Sequence, residues 1–346
     1  MSRAAALGTL VQRTGWGRRA VQRFVAGNTI EEAVAVALEA KRRGFTVTLD
    51  RLGEASTGPA ADAYAADASR LLEAQAAAGL EPNVSVKLTA IGLSEGERVA
   101  AGRLDEILAV AQRVNGFVRV DAEHGESLDA LHRIVLAARA AGRPVGTVIQ
   151  ANMRRASADV AHLTAAGVPI RLVKGAYDPG ADGIGDPAAV DAAYLALAAQ
   201  LLATTVPLAF GTHDDRILDQ LAERGRGRAE AQLLYGVRSD LAERLISAGW
   251  RVRIYTPYGP DWWPYSLRRM AERPANLRFV VRSLFGRKSR LSRPESDVSR
   301  SSRAARYLVS DASVSSRCFF RYFMNGVPPV PTSVGFPVAS AACRLM

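Results

Sequence analysis

Cysteine is nearly absent from this chain of 346 residues: only Cys318 and Cys343 occur, both close to the C-terminus. Everything before Arg287 therefore can hold neither an internal disulfide nor a thiolate metal site. Histidine is equally sparse, with four residues, and no pair of them has metal-ligand spacing, so no metal is expected. No apolar run approaches the roughly 18 residues that span a bilayer. The best candidate, residues 194–210, is interrupted by Gln200, Thr204, Thr205 and Pro207. The first residues are basic but lack an apolar core followed by a small-residue cleavage site, so no export signal is read and a cytoplasmic location is expected. A dinucleotide-type glycine fingerprint after a strand is also missing; the nearest string, GRGR at 225–228, precedes a strand.

What is present is the composition of a globular protein, 48% hydrophobic and long enough for a large core. The formal charge of +11 is unevenly spread: residues 287–346 hold ten Lys or Arg against three acids, a surplus of seven, which leaves +4 for residues 1–286. A nearly balanced body gives no phosphate-backbone footprint, and no nucleic-acid partner is expected. Residues 287–346 are rich in Ser and Arg without apolar periodicity, and they read as a tail apart from a domain at 1–286, either disordered or a readthrough product.

Within the body, β-branched or apolar runs alternate with Ala-, Leu- and Arg-rich stretches of helical spacing. Eight strands are expected, at 45–49, 84–88, 117–121, 146–150, 169–174, 206–212, 229–234 and 251–255. Eight such units in about 250 residues match a (β/α)8 TIM-type barrel. In that fold, polar groups at the C-terminal strand ends face the active site. Those ends carry Asp50 and Glu54, Lys87, Asp121 and Glu123, Gln150, Lys174, Thr212 and His213, Leu234 and Tyr235, and Tyr255. Lysine sharpens the pattern: among 45 basic side chains only Lys41, Lys87, Lys174 and Lys288 are lysines, and two of these fall on strand ends. A compact ammonium, not a planar fork, is what such positions supply. After the eighth strand, YSLRRMAE at 265–272 places Tyr265, Arg268, Arg269 and Glu272 on one face of an extra helix near the barrel mouth.

Ten strings in order, RFVAGNT (23–29), LGE (52–54), SVKLTAIGL (85–93), RVDAE (119–123), VIQA (148–151), IRLVKGAY (170–177), GTHD (211–214), LLYGVR (233–238), RIYTPYG (253–259) and YSLRRMAERP (265–274), resemble the proline dehydrogenase family. The resemblance spans roughly residues 20–286 and extends to the first domain of bifunctional proline-utilisation enzymes. It implies oxidation of L-proline to Δ1-pyrroline-5-carboxylate, with hydride passing to FAD and electrons to a quinone at the inner face of the membrane. By resemblance, Lys87, Arg268 and Arg269 hold the substrate carboxylate, and Leu234, Tyr255 and Tyr265 wall the proline ring. Asp121 resembles the catalytic aspartate and is expected to fix Lys87 and the local field. Arg171 is placed beside the flavin ring. Ala122, Gln150, Arg171, Val173, Lys174, Gly175, Ala176, Thr212, His213 and Glu272 are implied cofactor contacts, and Glu54 resembles a gate carboxylate that pairs with Arg268.

Three departures stand out: DPG at 178–180 replaces the usual glutamate and proline, QANMRR at 150–155 lacks an aromatic after the glutamine, and the N-terminal helices are short. Two other functions compete. A strand-end lysine, Lys87 or Lys174, could serve a Schiff-base aldolase if its pKa were lowered. A basic-tail binding protein would instead use residues 287–346.

Overall fold

In the computed structural model, residues 24–262 and Tyr265 are described. The order is α1 (Ile30–Arg42), β1 (Thr46–Arg51), α2 (Gly58–Ala77), β2 (Asn83–Lys87), α3 (Glu97–Arg113), β3 (Phe117–Asp121), α4 (Leu128–Ala140) and β4 (Val145–Gln150). It continues through α5 (Ala156–Ala165), β5 (Ile170–Val173), α6 (Pro187–Leu202), β6 (Leu208–Gly211), α7 (Asp215–Gly225), β7 (Ala229–Leu234), α8 (Ser239–Ser247) and β8 (Arg251–Tyr258). Every strand is parallel to the next, and β8 closes on β1. The fold is a (β/α)8 barrel. All eight expected strands are present, two of them, β3 and β7, with the expected limits. β8 runs three residues further because Arg253 to Tyr258 pair with Thr46 to Arg51 of β1. The helix expected after β8 and residues 287–346 lie outside the described residues, apart from Trp262 and Tyr265, both helical.

Local chemistry sets where the helices begin. Thr29 and Glu32 form a reciprocal capping box on α1, so two backbone donors at its start are satisfied. α6 starts on Asp186, whose side chain accepts from Ala189 N, with proline in the first turn. Asp214 caps α7 in the same way, accepting from Arg216 N. The main core is the shell between strands and helices, where Tyr64, Tyr194, Phe210, Leu71 and Leu72 are fully buried. A second, small cluster of Phe24, Val25, Leu52 and Tyr265 lies just beyond the C-terminal end of β1.

The barrel interior is polar as well as apolar. Side chains from strands that are not neighbours, such as Arg171 on β5 and Asp121 on β3, hydrogen-bond to each other, which only the interior permits. Strand packing is close at the bottom: a Cβ on Gly146 would lie 2.6 Å from the Pro169 carbonyl and 2.8 Å from both Phe117 and Arg119. Substitution Gly146→Ala should therefore destabilise the protein by about 1–3 kcal/mol, as overpacking does. Urea unfolding checks this, and an unchanged midpoint would mean that these strands can separate freely.

Candidate active site at the C-terminal end of the barrel

Register brings the strand ends together. Lys87 pairs with Asp121 across β2 and β3, Gln150 with Val173 across β4 and β5, and Leu234 with Tyr255 across β7 and β8. Two buried charge pairs occupy the centre. Lys87 Nζ lies 3.1 and 3.2 Å from the two oxygens of Asp50, and both residues are almost wholly buried. Arg171 donates from Nη1 to Asp121 Oδ1 at 2.8 Å, and the Tyr255 hydroxyl donates to Asp121 Oδ2, also at 2.8 Å. The Arg171 guanidinium also lies over the Tyr255 ring, 5.2 Å from its centroid.

This arrangement corrects one expectation. Asp121 does not fix Lys87; it directs its two oxygens to Arg171 and Tyr255, and the carboxylate on Lys87 is Asp50. Asp50 is recognisable in the sequence as a strand-end acid, but nothing there says which of two nearby acids the ammonium meets. Desolvation works against the Lys87 ammonium, yet the Asp50 charge and the surrounding tyrosine oxygens outweigh it and hold Lys87 well above the usual lysine range. Burial pushes the Asp50 carboxyl up, opposed by Lys87 and reinforced by Asp121. Contact at hydrogen-bond distance on both oxygens favours the ionised pair. An amine held so firmly protonated is the opposite of what a Schiff-base nucleophile needs. Lys174 is likewise engaged, with Asp214 at 3.1 Å and with Asp191.

The remaining expected contacts gather on β4 to β6. Gln150 Nε2 donates to the Glu123 carbonyl at 2.9 Å, while the buried Glu123 carboxylate accepts from the Thr89 hydroxyl at 2.6 Å and the Thr89 amide at 3.2 Å. Burial pushes Glu123 up despite those hydrogen bonds. His213 Nε2 accepts from Leu234 N at 3.0 Å, which places the proton of a neutral ring on Nδ1. Thr212 is buried and its hydroxyl accepts from Asp214 N. Ala122 is buried, Val173 and Lys174 are half-buried, and Ala176 is exposed at the rim. Glu54 accepts from the Tyr177 hydroxyl at 3.0 Å, linking the loops after β1 and β5. Tyr265 packs with Leu52, on the mouth side. Arg268, Arg269 and Glu272 lie outside the described residues.

Two of the departures acquire a structural reading. The DPG loop closes on itself, with Gly180 N donating to the Asp178 side chain at 2.9 Å. Asn152, within the QANMRR string that lacks the family's aromatic, lies against Gly175, whose φ is +111°; a Cβ there would sit 2.1 Å from Asn152 Oδ1. That oxygen is buried without a hydrogen-bond partner. An unpaired acceptor beside a glycine turn, with Arg171, Thr212 and Gln150 nearby in the sheet, is a donor and acceptor set that suits a polar planar ring with an anionic edge. Among the described residues no group of three His, Cys, Asp or Glu could hold a metal, and no helix is long and apolar enough to cross a membrane.

The chain is similar to known proteins over most of its barrel. The sequence model of the proline dehydrogenase family matches residues 33–282. Proline dehydrogenase of Deinococcus radiodurans is 38% identical over 276 residues, covering 76% of this chain and 89% of that protein. Proline dehydrogenase 1 of Bacillus subtilis is 36% identical over 275 residues, covering 77% and 91%. Among solved structures, proline utilization A from Bdellovibrio bacteriovorus inactivated by N-propargylglycine superposes with a TM-score of 0.68 at 24% identity, over 78% of this chain and 34% of that one.

Removing one member of the Asp50–Lys87 pair strands the other. Asp50→Leu should cost about 3–5 kcal/mol of stability, and adding Lys87→Met should restore most of it. A denaturant double-mutant cycle reads this directly; additive losses would show that the pair carries no coupling.

Proposed function

This chain belongs to the proline dehydrogenase family, and on that premise we propose that it oxidises L-proline to Δ1-pyrroline-5-carboxylate at the C-terminal mouth of the barrel, with FAD as cofactor. The observation that carries the reading is the meeting of Asp121, Arg171 and Tyr255, from three strands, next in the sheet to the buried Lys87–Asp50 pair. When bound, FAD would supply the acceptor for the hydride of the ring carbon beside nitrogen that bears no carboxylate, the nitrogen proton going to solvent as the C=N bond forms, and a quinone at the membrane surface would take the electrons on. Everything else in the reaction is binding and orientation by this chain.

Lys87, Arg268 and Arg269 hold the substrate carboxylate, two forks and an ammonium around one anion. Asp50 keeps the ammonium in place and offsets its charge before substrate arrives. Leu234, Tyr255 and Tyr265 wall the ring, a small apolar body that is recognised by shape. Asp121 orients Arg171 and the Tyr255 hydroxyl together, so its part in the hydride step is indirect. Arg171 sets the field at the ring edge, where a fixed cation favours the reduced state. Ala122, Gln150, Val173, Lys174, Gly175, Ala176, Thr212, His213 and Glu272 form the remaining cofactor cradle, with Asn152 added to it. Glu54 gates the mouth and pairs with Arg268 when substrate is bound. The catalytic unit is residues 1–286, and the family match ending at residue 282 supports a separate tail. The protein works in the cytoplasm and docks peripherally on the membrane that holds its quinone.

The purified protein should be yellow, and anaerobic L-proline should bleach it. A colourless protein that traps a carbonyl compound on borohydride reduction would establish the aldolase instead. Arg268→Met, Arg269→Met and Lys87→Met should each raise KM for proline by about 10- to 100-fold, the worth of one charged hydrogen bond, with flavin content unchanged. Normal proline binding in any of them would remove that residue from the carboxylate grip. Asp121→Ala should mainly slow flavin reduction in stopped-flow traces, and equal rates would deny it that part.

A further inference from the structure

Strand β7 contributes only Leu234 to the reading above, yet two residues of the same strand, Glu230 and Gln232, join a polar chain that runs the length of the barrel. At the N-terminal end Arg253 donates to Glu81 at 2.6 Å, to the Val47 carbonyl at 2.9 Å and to Glu230 at 2.9 and 3.1 Å. Gln232 Nε2 donates to Glu230 Oε2 at 2.9 Å, and Arg171 Nε donates to Gln232 Oε1 at 2.7 Å. Arg171 then reaches Asp121, which receives the Tyr255 hydroxyl. Gln232 and Arg253 are 6% and 4% exposed, so water does not compete for these bonds.

The position of Gln232 permits a single amide orientation. Below it is a carboxylate, which can only accept; above it is a guanidinium, which can only donate. The amide must therefore turn its NH2 down and its oxygen up. A side chain whose amide faces could be exchanged in most settings is here locked by the charges on either side. Glu230 is the anchor of that lock: although burial opposes its charge, Arg253 holds the carboxyl below its usual range. Arg171 is consequently clamped from two directions, by Gln232 at Nε and by Asp121 at Nη1, with the Tyr255 ring against its face. Two fixed acceptors on different nitrogens define the plane of the guanidinium, which one acceptor alone would leave free to swing.

We propose that Gln232, oriented by Glu230, is a positioning residue that fixes the guanidinium of Arg171 against the cofactor ring and so sets the reduction potential of the bound flavin. The proposal rests on the reading that Arg171 lies beside that ring. A structural residue of the barrel would affect stability and cofactor retention alike. A positioning residue changes the potential of a flavin that is still fully bound.

The experiment measures the flavin midpoint potential of purified, flavin-loaded Gln232→Leu protein by dye-coupled reductive titration, alongside flavin content and the rate of reduction by proline. The expected result is full flavin content, a midpoint potential more negative than that of wild type, and reduction slowed by about tenfold, the kinetic equivalent of one lost hydrogen bond. KM for proline should stay within about twofold, since Gln232 does not touch the carboxylate grip. Should Gln232→Leu fail to fold, Gln232→Met carries the test: it keeps the length of the side chain but supplies Arg171 with no carbonyl acceptor, so the potential of the loaded protein should again fall. A potential equal to wild type in the folded, loaded variant would overturn the inference while leaving the dehydrogenase reading intact. A wild-type protein that binds no flavin or is not bleached by proline would overturn the reading itself, and the inference with it.

Discussion

Arg171 is 5% exposed, in the middle of a closed barrel, and a cation so far from water must be met by acceptors on several sides. Asp121 meets it from β3, Gln232 from β7 and the Tyr255 ring from β8. Three strands far apart in sequence are thereby tied to one group on a fourth. Asp121 is drawn away from Lys87 by this requirement, and Lys87, left with a buried ammonium, takes Asp50 as its partner. The second pair is thus a consequence of the first.

The buried charges at the centre are matched in pairs, Asp50 with Lys87 on neighbouring strands and Asp121 with Arg171, which reaches across from β5. Elsewhere at the mouth Gln150 and His213 are held by backbone contacts, with the Glu123 carbonyl and Leu234 N, while Lys174 pairs with Asp191 and Asp214.

Much of this was legible in the chain. The alternation of strands with helices, the count of eight, and the polar identity of the C-terminal strand ends can all be read from periodicity, because side-chain direction in a strand repeats every second residue. The two lysines at strand ends stood out against a background of arginine. The partners did not. Asp50 and Asp121 are equally good candidates for Lys87 on paper, and Glu230 and Gln232 look like unremarkable polar residues in a strand. Their meaning depends on which strands face each other across the barrel, and no local pattern encodes that. Asn152 was visible as a departure from the family, but its contact with Gly175 was not.

Sequence alone determined the architecture and the inventory of chemistry: a barrel, two scarce lysines at strand ends, and a family resemblance carried by ten ordered strings. Tertiary structure decided the pairing. Closure of β8 onto β1 sets the stagger of the strands, the stagger sets which inward side chains reach across, and in a dry interior each charge must take the counter-charge that geometry offers. That is why Asp50, and not Asp121, answers Lys87.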